Sequence, residues 1–223
     1  MKHTFTFRQV LDGLAQGCGI YGIFANPCFG TTALLMQIAD EMNNRKDGTA
    51  IVLSVEHSKE QWRRRMQIAE LSEERVLISD EIFPTRESIE KLINQVQSVS
   101  VLCVDYYALL DKKTQNSLWE ISKQHKIPIV VCGKLCRDSG DFDPELRPEL
   151  FSVSLFRDNK VILVGAFDFL ALMHRNHKCD RGIGTAYRYD VSNETELIIK
   201  RNRYGELGSV FMEWDEQKLR FNY

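Results

Sequence analysis

The sequence predicts an α/β protein: a doubly wound, mostly parallel sheet finished by a C-terminal β-hairpin. Two observations carry that expectation. Short apolar runs of buried-strand length alternate with stretches of helical period over most of the chain. The final stretch, Ser209 to Tyr223, alternates residue by residue instead and turns at Glu216-Gln217, as a hairpin would.

The elements follow in order. Gly19 to Ala25 is an apolar run ending at Asn26-Pro27, which suits a buried strand and a loop. From Thr31 to Met42, Leu34, Leu35, Ile38 and Met42 recur at helical spacing. Thr49 to Val55 is a second buried strand, and Ser58 to Glu70 a helix with Ser58 as N-cap and Gln61 three residues on. Val76 to Ser79 is a short strand, and Ser88 to Val96 an amphipathic helix. Val99 to Val104 runs into Asp105, Ser117 to His125 is helical, and Ile127 to Cys132 is the next strand. Val161–Val164, Phe169–Met173 and Leu197–Ile199 are further strand candidates. Arg137 to Asp158, with its Asp, Gly and Pro residues, reads as a long irregular loop of the kind that carries function.

The bulk properties bound the function. With 223 residues, the chain is long enough for one α/β domain with a proper core, and nothing in it marks an internal repeat or a dividing linker. The net charge of −2 means that any nucleic-acid contact must come from local patches. No apolar run approaches the roughly 20 residues that span a bilayer, and the charged start lacks a secretory pattern. A cytoplasmic location is therefore expected, with the six scattered cysteines reduced.

Four places could carry chemistry. Ala25, Asn26, Pro27, Cys28, Phe29, Gly30, Thr31 and Thr32 lie between a strand and a helix, where backbone N–H groups can curl around phosphate and a hydroxyl can meet Mg²⁺. The usual pattern ends Gly-Lys-Ser/Thr, and here position 31 is Thr. Glu56 follows the next strand, where a carboxylate can orient an attacking water. Asp105 ends another apolar strand, the place of a carboxylate that holds a Mg²⁺ shell. The run Arg201-Asn202-Arg203-Tyr204-Gly205-Glu206-Leu207-Gly208 is basic and glycine-punctuated.

The order of these features, with Ser54-Val55-Glu56-His57-Ser58 before Arg64-Arg65, Asp105-Tyr106, Leu135-Cys136-Arg137 and Arg147-Pro148-Glu149-Leu150, resembles the RecA-like motor domain of DnaB-type hexameric helicases. The resemblance runs from about Phe7 to the C-terminus. It implies a RecA-like P-loop NTPase fold that binds ATP and Mg²⁺, with Ala25, Pro27, Cys28, Phe29, Gly30 and Thr31 cradling phosphate and Thr32 and Asp105 serving the metal. It also implies Glu56 as the catalytic glutamate, Arg203 as a finger reaching the neighbouring subunit's nucleotide, and Arg201 in place of the accompanying lysine. Single-stranded DNA, replication proteins and a hexameric ring are the implied partners. The family's N-terminal primase-binding domain is missing from residues 1–223, so a monomer is expected in dilute solution.

Two departures bear on turnover. The loop lysine is replaced by Thr31, and Lys134 stands where the family has a glutamine. A lysine is a compact, mobile point charge, so Lys134 is a candidate to replace the missing cation from another strand. The alternative is a non-catalytic relative that acts as a nucleotide sensor, loader or assembly partner. His174, His177 and Cys179 could ligate zinc but lack a fourth ligand at the usual spacing. Arg175, Lys178 and Arg181 beside them are candidates for nucleic-acid phosphate contact. Arg63, Arg64 and Arg65 read as a solvated helix face, and Met36, Met42 and Trp62 as packing residues.

Overall fold

The computed structural model describes residues 3–26, 28–134, 167–180 and 188–223. Pro27, the strand expected at 161–164, the loop 137–158 with Arg147–Leu150, and Arg181 lie outside the described residues. So do the side chains of His177, Lys178 and Cys179.

The described chain opens with β1 (His3–Phe5) and α1 (Phe7–Gln16), followed by β2 (Gly19–Ala25), α2 (Thr31–Lys46), β3 (Thr49–Ser54) and α3 (Lys59–Ile68). Then come β4 (Val76–Ser79), α4 (Arg86–Asn94), β5 (Val99–Asp105), a 3-10 turn (Tyr107–Leu109), α5 (Lys112–His125) and β6 (Pro128–Lys134). Four strands complete it: β7 (Phe169–Asp180), β8 (Arg188–Asn202), β9 (Gly208–Asp215) and β10 (Arg220–Asn222). Among the described residues, no helix is long and apolar enough to cross a membrane.

The strands form one sheet in the order β1-β9-β8-β7-β2-β6-β5-β3-β4, with β10 paired to β9. From β7 to β4 every pairing is parallel, while β7, β8, β9 and β10 pair antiparallel. The central parallel strands are buried on both faces, so they read as continuous apolar runs. Alternate side chains enter two cores. Tyr21, Ile23, Val52, Cys103 and Val130 pack with α1, α2 and α3 through Leu11, Leu34, Ile38 and Trp62. Phe24, Leu53, Val104 and Ile129 pack with α4 and α5 through Ile89, Leu118 and Ile121.

The caps explain several helix starts. Ser58 and Gln61 form the expected capping box of α3, and Thr85 with Ser88 forms one at α4. At α5 the Asp111 carboxylate accepts from the Thr114 N–H, so the helix begins at Lys112 rather than at the expected Ser117. Its first turn is Lys112, Lys113 and Thr114, too polar to register as apolar periodicity. The strand expected at Phe169–Met173 continues to Asp180 because its polar second half pairs with β8. Neither β1 nor α1 was expected. The capping box of Thr6 and Gln9 was present in the sequence to mark α1.

Candidate functional site

Four adjacent strands, β2, β6, β5 and β3, deliver the candidate residues at their carboxyl ends. This is the edge where open α/β sheets bind ligands. Register sets their heights. Ser54, Asp105 and Cys132 are successive cross-strand partners in one row, and Lys134, two residues farther along β6, stands opposite Ala25. Because side chains alternate, Cys103, Asp105, Val130, Cys132 and Lys134 point to the face covered by α2. Glu56 lies two residues past Ser54, so Glu56 and Lys134 both rise above the row that holds Asp105.

The floor of the site is polar and buried. Thr32 Oγ1 donates to Asp105 Oδ1 at 3.2 Å, and Cys132 Sγ donates to the same oxygen at 3.0 Å. Asp105 is 1% exposed, and its Oδ2 has no hydrogen-bond partner. Burial pushes this carboxyl above the ordinary aspartate range, against the opposing influence of Cys132, His57 and Thr32. Burial likewise pushes the Cys132 thiol well up, with Asp105 adding to it. An unpartnered buried carboxylate oxygen beside a hydroxyl is chemically suited to a hard divalent cation.

The loop between β2 and α2 forms one wall. Gly30 precedes α2 with φ 94° and gives no side-chain cap, so the first N–H groups of α2 lack a side-chain acceptor from that position. Cys28 is also left-handed, at φ 68°, and exposed. A β-carbon on Gly30 would meet the Phe221 ring at 2.9 Å, so this position requires glycine for both conformation and space. Phe29 is buried at 2% exposure and anchors the loop in the core.

Across the mouth, Lys134 Nζ lies 2.9 Å from Glu56 Oε1 and 4.8 Å from the centre of the Tyr106 ring. The Lys134 backbone N–H donates to Tyr106 Oη at 2.7 Å. Ser54 Oγ donates to the His57 carbonyl at 2.6 Å, tightening the turn that presents Glu56. The cleft between these walls has a volume of about 430 Å³, and Gly30, Thr31, Thr32, Glu56, Asp105 and Lys134 all line it. Of the expected cradle residues, Cys28, Gly30, Thr31 and Thr32 therefore face one cavity, while Ala25 and Phe29 do not line it.

Several lining residues were not anticipated. His57 and Arg65 border the cleft, with Arg65 Nη1 3.3 Å from His57 Nε2. Arg63, Arg64 and Arg65 are all exposed, as a solvated helix face requires, and Arg65 in addition reaches His57 at the edge of the cleft. Trp214 and Leu219 also line the cleft from the C-terminal hairpin. Long-range strand order brings them there, so no local motif could have marked them.

Arg203 lies elsewhere. Its Nη1 is 2.5 Å from Asp168 Oδ1, and its backbone N–H donates to the Asp168 carbonyl. Asp168 is buried, and its Oδ2 accepts from the Ile20 N–H at the start of β2. Arg203 thus sits at the opposite end of β2 from the loop and is engaged within its own chain. Arg201 is half-buried on β8 opposite Leu170. His174 and Arg175 are buried on β7, and Arg175 lies over the Trp214 ring at 5.3 Å. That burial removes Arg175 as an open phosphate contact. Among the described residues, no group of three or more His, Cys, Asp or Glu could hold a metal ion.

A family model described as the DnaB-like helicase C terminal domain matches residues 66–223. That span holds Asp105, Lys134 and Arg203 but begins after the loop and Glu56. No curated protein matches the chain. Among solved structures, one described as an ATPase domain is similar at TM-score 0.67 and 17% identity, covering 91% of this chain and 84% of that one. "The Structure Of A DnaB-Like Replicative Helicase And Its Interactions With Primase" is similar at TM-score 0.65 and 16% identity, covering 93% of this chain and 57% of that one. The present chain thus spans little more than half of the second structure's length.

Proposed function

The chain belongs to the DnaB-like helicase C-terminal domain family, and from that premise we propose that it is a motor-type domain binding Mg-ATP in the cleft above Asp105. One observation carries the reading: the Thr32 hydroxyl meets a buried Asp105 carboxylate whose second oxygen is unpartnered. A core that buries such a group without a partner loses stability, and a cation-binding role accounts for keeping it.

In this reading Thr32 and Asp105 hold the Mg²⁺, and Gly30, Thr31 and the first turn of α2 offer backbone N–H groups to the phosphates. Bound Mg²⁺ supplies neutralisation of phosphate charge. Cys28 and Phe29 shape the rest of the loop, and Ala25 ends the strand before it. Glu56 orients a water at the mouth of the cleft. Arg203, turned away from its own cleft, serves a neighbouring subunit in a ring, with Arg201 beside it. Single-stranded DNA and replication proteins are the partners that such a ring engages. The primase named for one similar structure belongs to that protein.

A second reading has its own observation. Position 31 carries no cation, and Glu56 is already engaged by Lys134, an arrangement suited to a domain that senses nucleotide without turning it over. Calorimetry with Mg-ATP, run beside phosphate release with and without single-stranded DNA, separates the two. Binding with DNA-stimulated release supports the motor, and binding without release supports the sensor. Absence of binding at millimolar Mg-ATP overturns both.

A further inference from the structure

We infer that Lys134 is the phosphate-binding cation of this cleft, supplied by β6 in place of the loop, and that Glu56 occupies it until a polyphosphate arrives. The inference rests on the nucleotide reading above. It starts from a deficit: the loop and the first turn of α2 offer N–H groups but no charged side chain, because position 31 is Thr. A polyphosphate with its Mg²⁺ still carries net negative charge, which a cation at the mouth of the cleft would answer through charge-assisted hydrogen bonds.

Register supplies the answer. Lys134 is the cross-strand partner of Ala25, the last residue before the loop, so the lysine stem rises beside the cradle and on the same face as α2. Tyr106 fixes its root by accepting the Lys134 N–H, and its ring lies beneath the ammonium. The other cleft-lining cation, Arg65, comes from a helix on the far side of Glu56 and lies against His57. Lys134 is the cation that shares a wall with the loop.

Its present partner is informative. Glu56 and Lys134 stand above Asp105 from strands on either side of β5, so their 2.9 Å ion pair bridges the mouth. Both side chains are more than one-third exposed, at 36% and 39%. A pair that wet contributes little to holding the fold together and can be exchanged without opening the core. A phosphate entering the cradle offers Lys134 a more highly charged acceptor than one carboxylate. The exchange also releases the Glu56 carboxylate, so the group able to orient water becomes free when phosphate is bound.

The test is calorimetric titration of Mg-ATP into the full chain and three variants. Lys134→Ala should bind at least tenfold more weakly, the loss expected for one charge-assisted hydrogen bond. Glu56→Gln should bind threefold or more tightly, because the competing carboxylate is gone. A gain in affinity cannot arise from misfolding. Thr31→Lys placed in the Lys134→Ala background should return affinity to within threefold of wild type. Lys134→Ala binding within twofold of a wild type that itself binds would overturn the lysine while leaving the nucleotide site standing. Glu56→Gln no tighter than wild type would overturn the latch. If neither wild type nor Glu56→Gln binds at millimolar Mg-ATP, the nucleotide reading falls and this inference falls with it.

Discussion

Gln37 fastens the C-terminal hairpin to the helix that follows the loop. Its Nε2 donates to the Phe221 carbonyl at 2.8 Å and its Oε1 accepts from the Phe221 N–H at 2.7 Å. Gln37 is 5% exposed and Phe221 2%. Phe221 in turn packs its ring 4.9 Å from that of Trp214, and both rings lie against Gly30. Gln37→Leu keeps the side chain large but strands two buried backbone groups, each at about 1–3 kcal/mol. Because leucine restores some apolar burial, the net expected loss is about 3 kcal/mol. For a domain of this length that corresponds to a Tm lowered by roughly 6–12 °C. Urea unfolding followed by circular dichroism measures it, with an unchanged m-value as the check that the same transition is observed. Since the hairpin braces Gly30, Mg-ATP affinity should fall with stability. A loss under about 1 kcal/mol would refute the clamp.

Asp105→Asn should raise the Tm in EDTA by a few degrees, a gain of about 1 kcal/mol from removing a buried charge. It should also abolish any stabilisation by Mg-ATP in the same melts. Gly30→Ala should cost about 2 kcal/mol by forcing a β-carbon into the left-handed region, and it should push against the Phe221 ring; unfolding measures the cost. Maleimide labelling with peptide mass spectrometry should find Cys28 reactive, with Cys103 and Cys132 inert because burial pushes both thiols up, and Mg-ATP should slow the Cys28 reaction severalfold. Arg203→Ala leaves the buried Asp168 carboxylate without its ion partner and with the Ile20 N–H still donating to it, so it should cost about 1–2 kcal/mol after discounting for the arginine's exposure. Most of that cost should vanish in an Asp168→Asn background, as a double-mutant cycle of unfolding energies would read.

The parallel half of the fold was legible because its central strands are buried on both faces and its edge strand Val76–Ser79 is also apolar, so each announces itself as an apolar run. Gly19–Ala25 and Val76–Ser79 were located to the residue on that basis. Legibility failed where polarity hid regular structure. Lys112–Thr114 begin α5 behind an Asp111 cap, and His174 to Asp180 continue β7 with charged residues in the pattern. His174 and Arg175 are buried on that strand although polar, so the apolar run ends before the strand does. The short β1, three residues long, owes its place to pairing with β9 some two hundred residues away, a partner that no local window contains.

The candidate site divides along the same line. Asp105 and Glu56 could be read from the sequence because a carboxylate directly after an apolar run is a local pattern, and Thr32 because it follows a glycine at a strand-to-helix joint. Arg65 and Trp214 were missed because helix phase and strand order, not spacing, bring them to the cleft, whereas His57 simply adjoins Glu56 in the chain. Lys134 falls between the two cases. Its residue type suggested a replacement cation, but it is separated by 78 positions from Glu56 and by more than a hundred from the loop. Only the register of β6 between β2 and β5 decides whether such a lysine can serve the phosphate cradle. A slip of one residue in that pairing would turn its side chain to the opposite face, toward α5. The displacement of a charge from loop to strand is therefore tolerable in this fold because neighbouring parallel strands end at matched heights. The same geometry places the lysine within reach of Glu56, so moving the cation also couples it to the residue that would orient water.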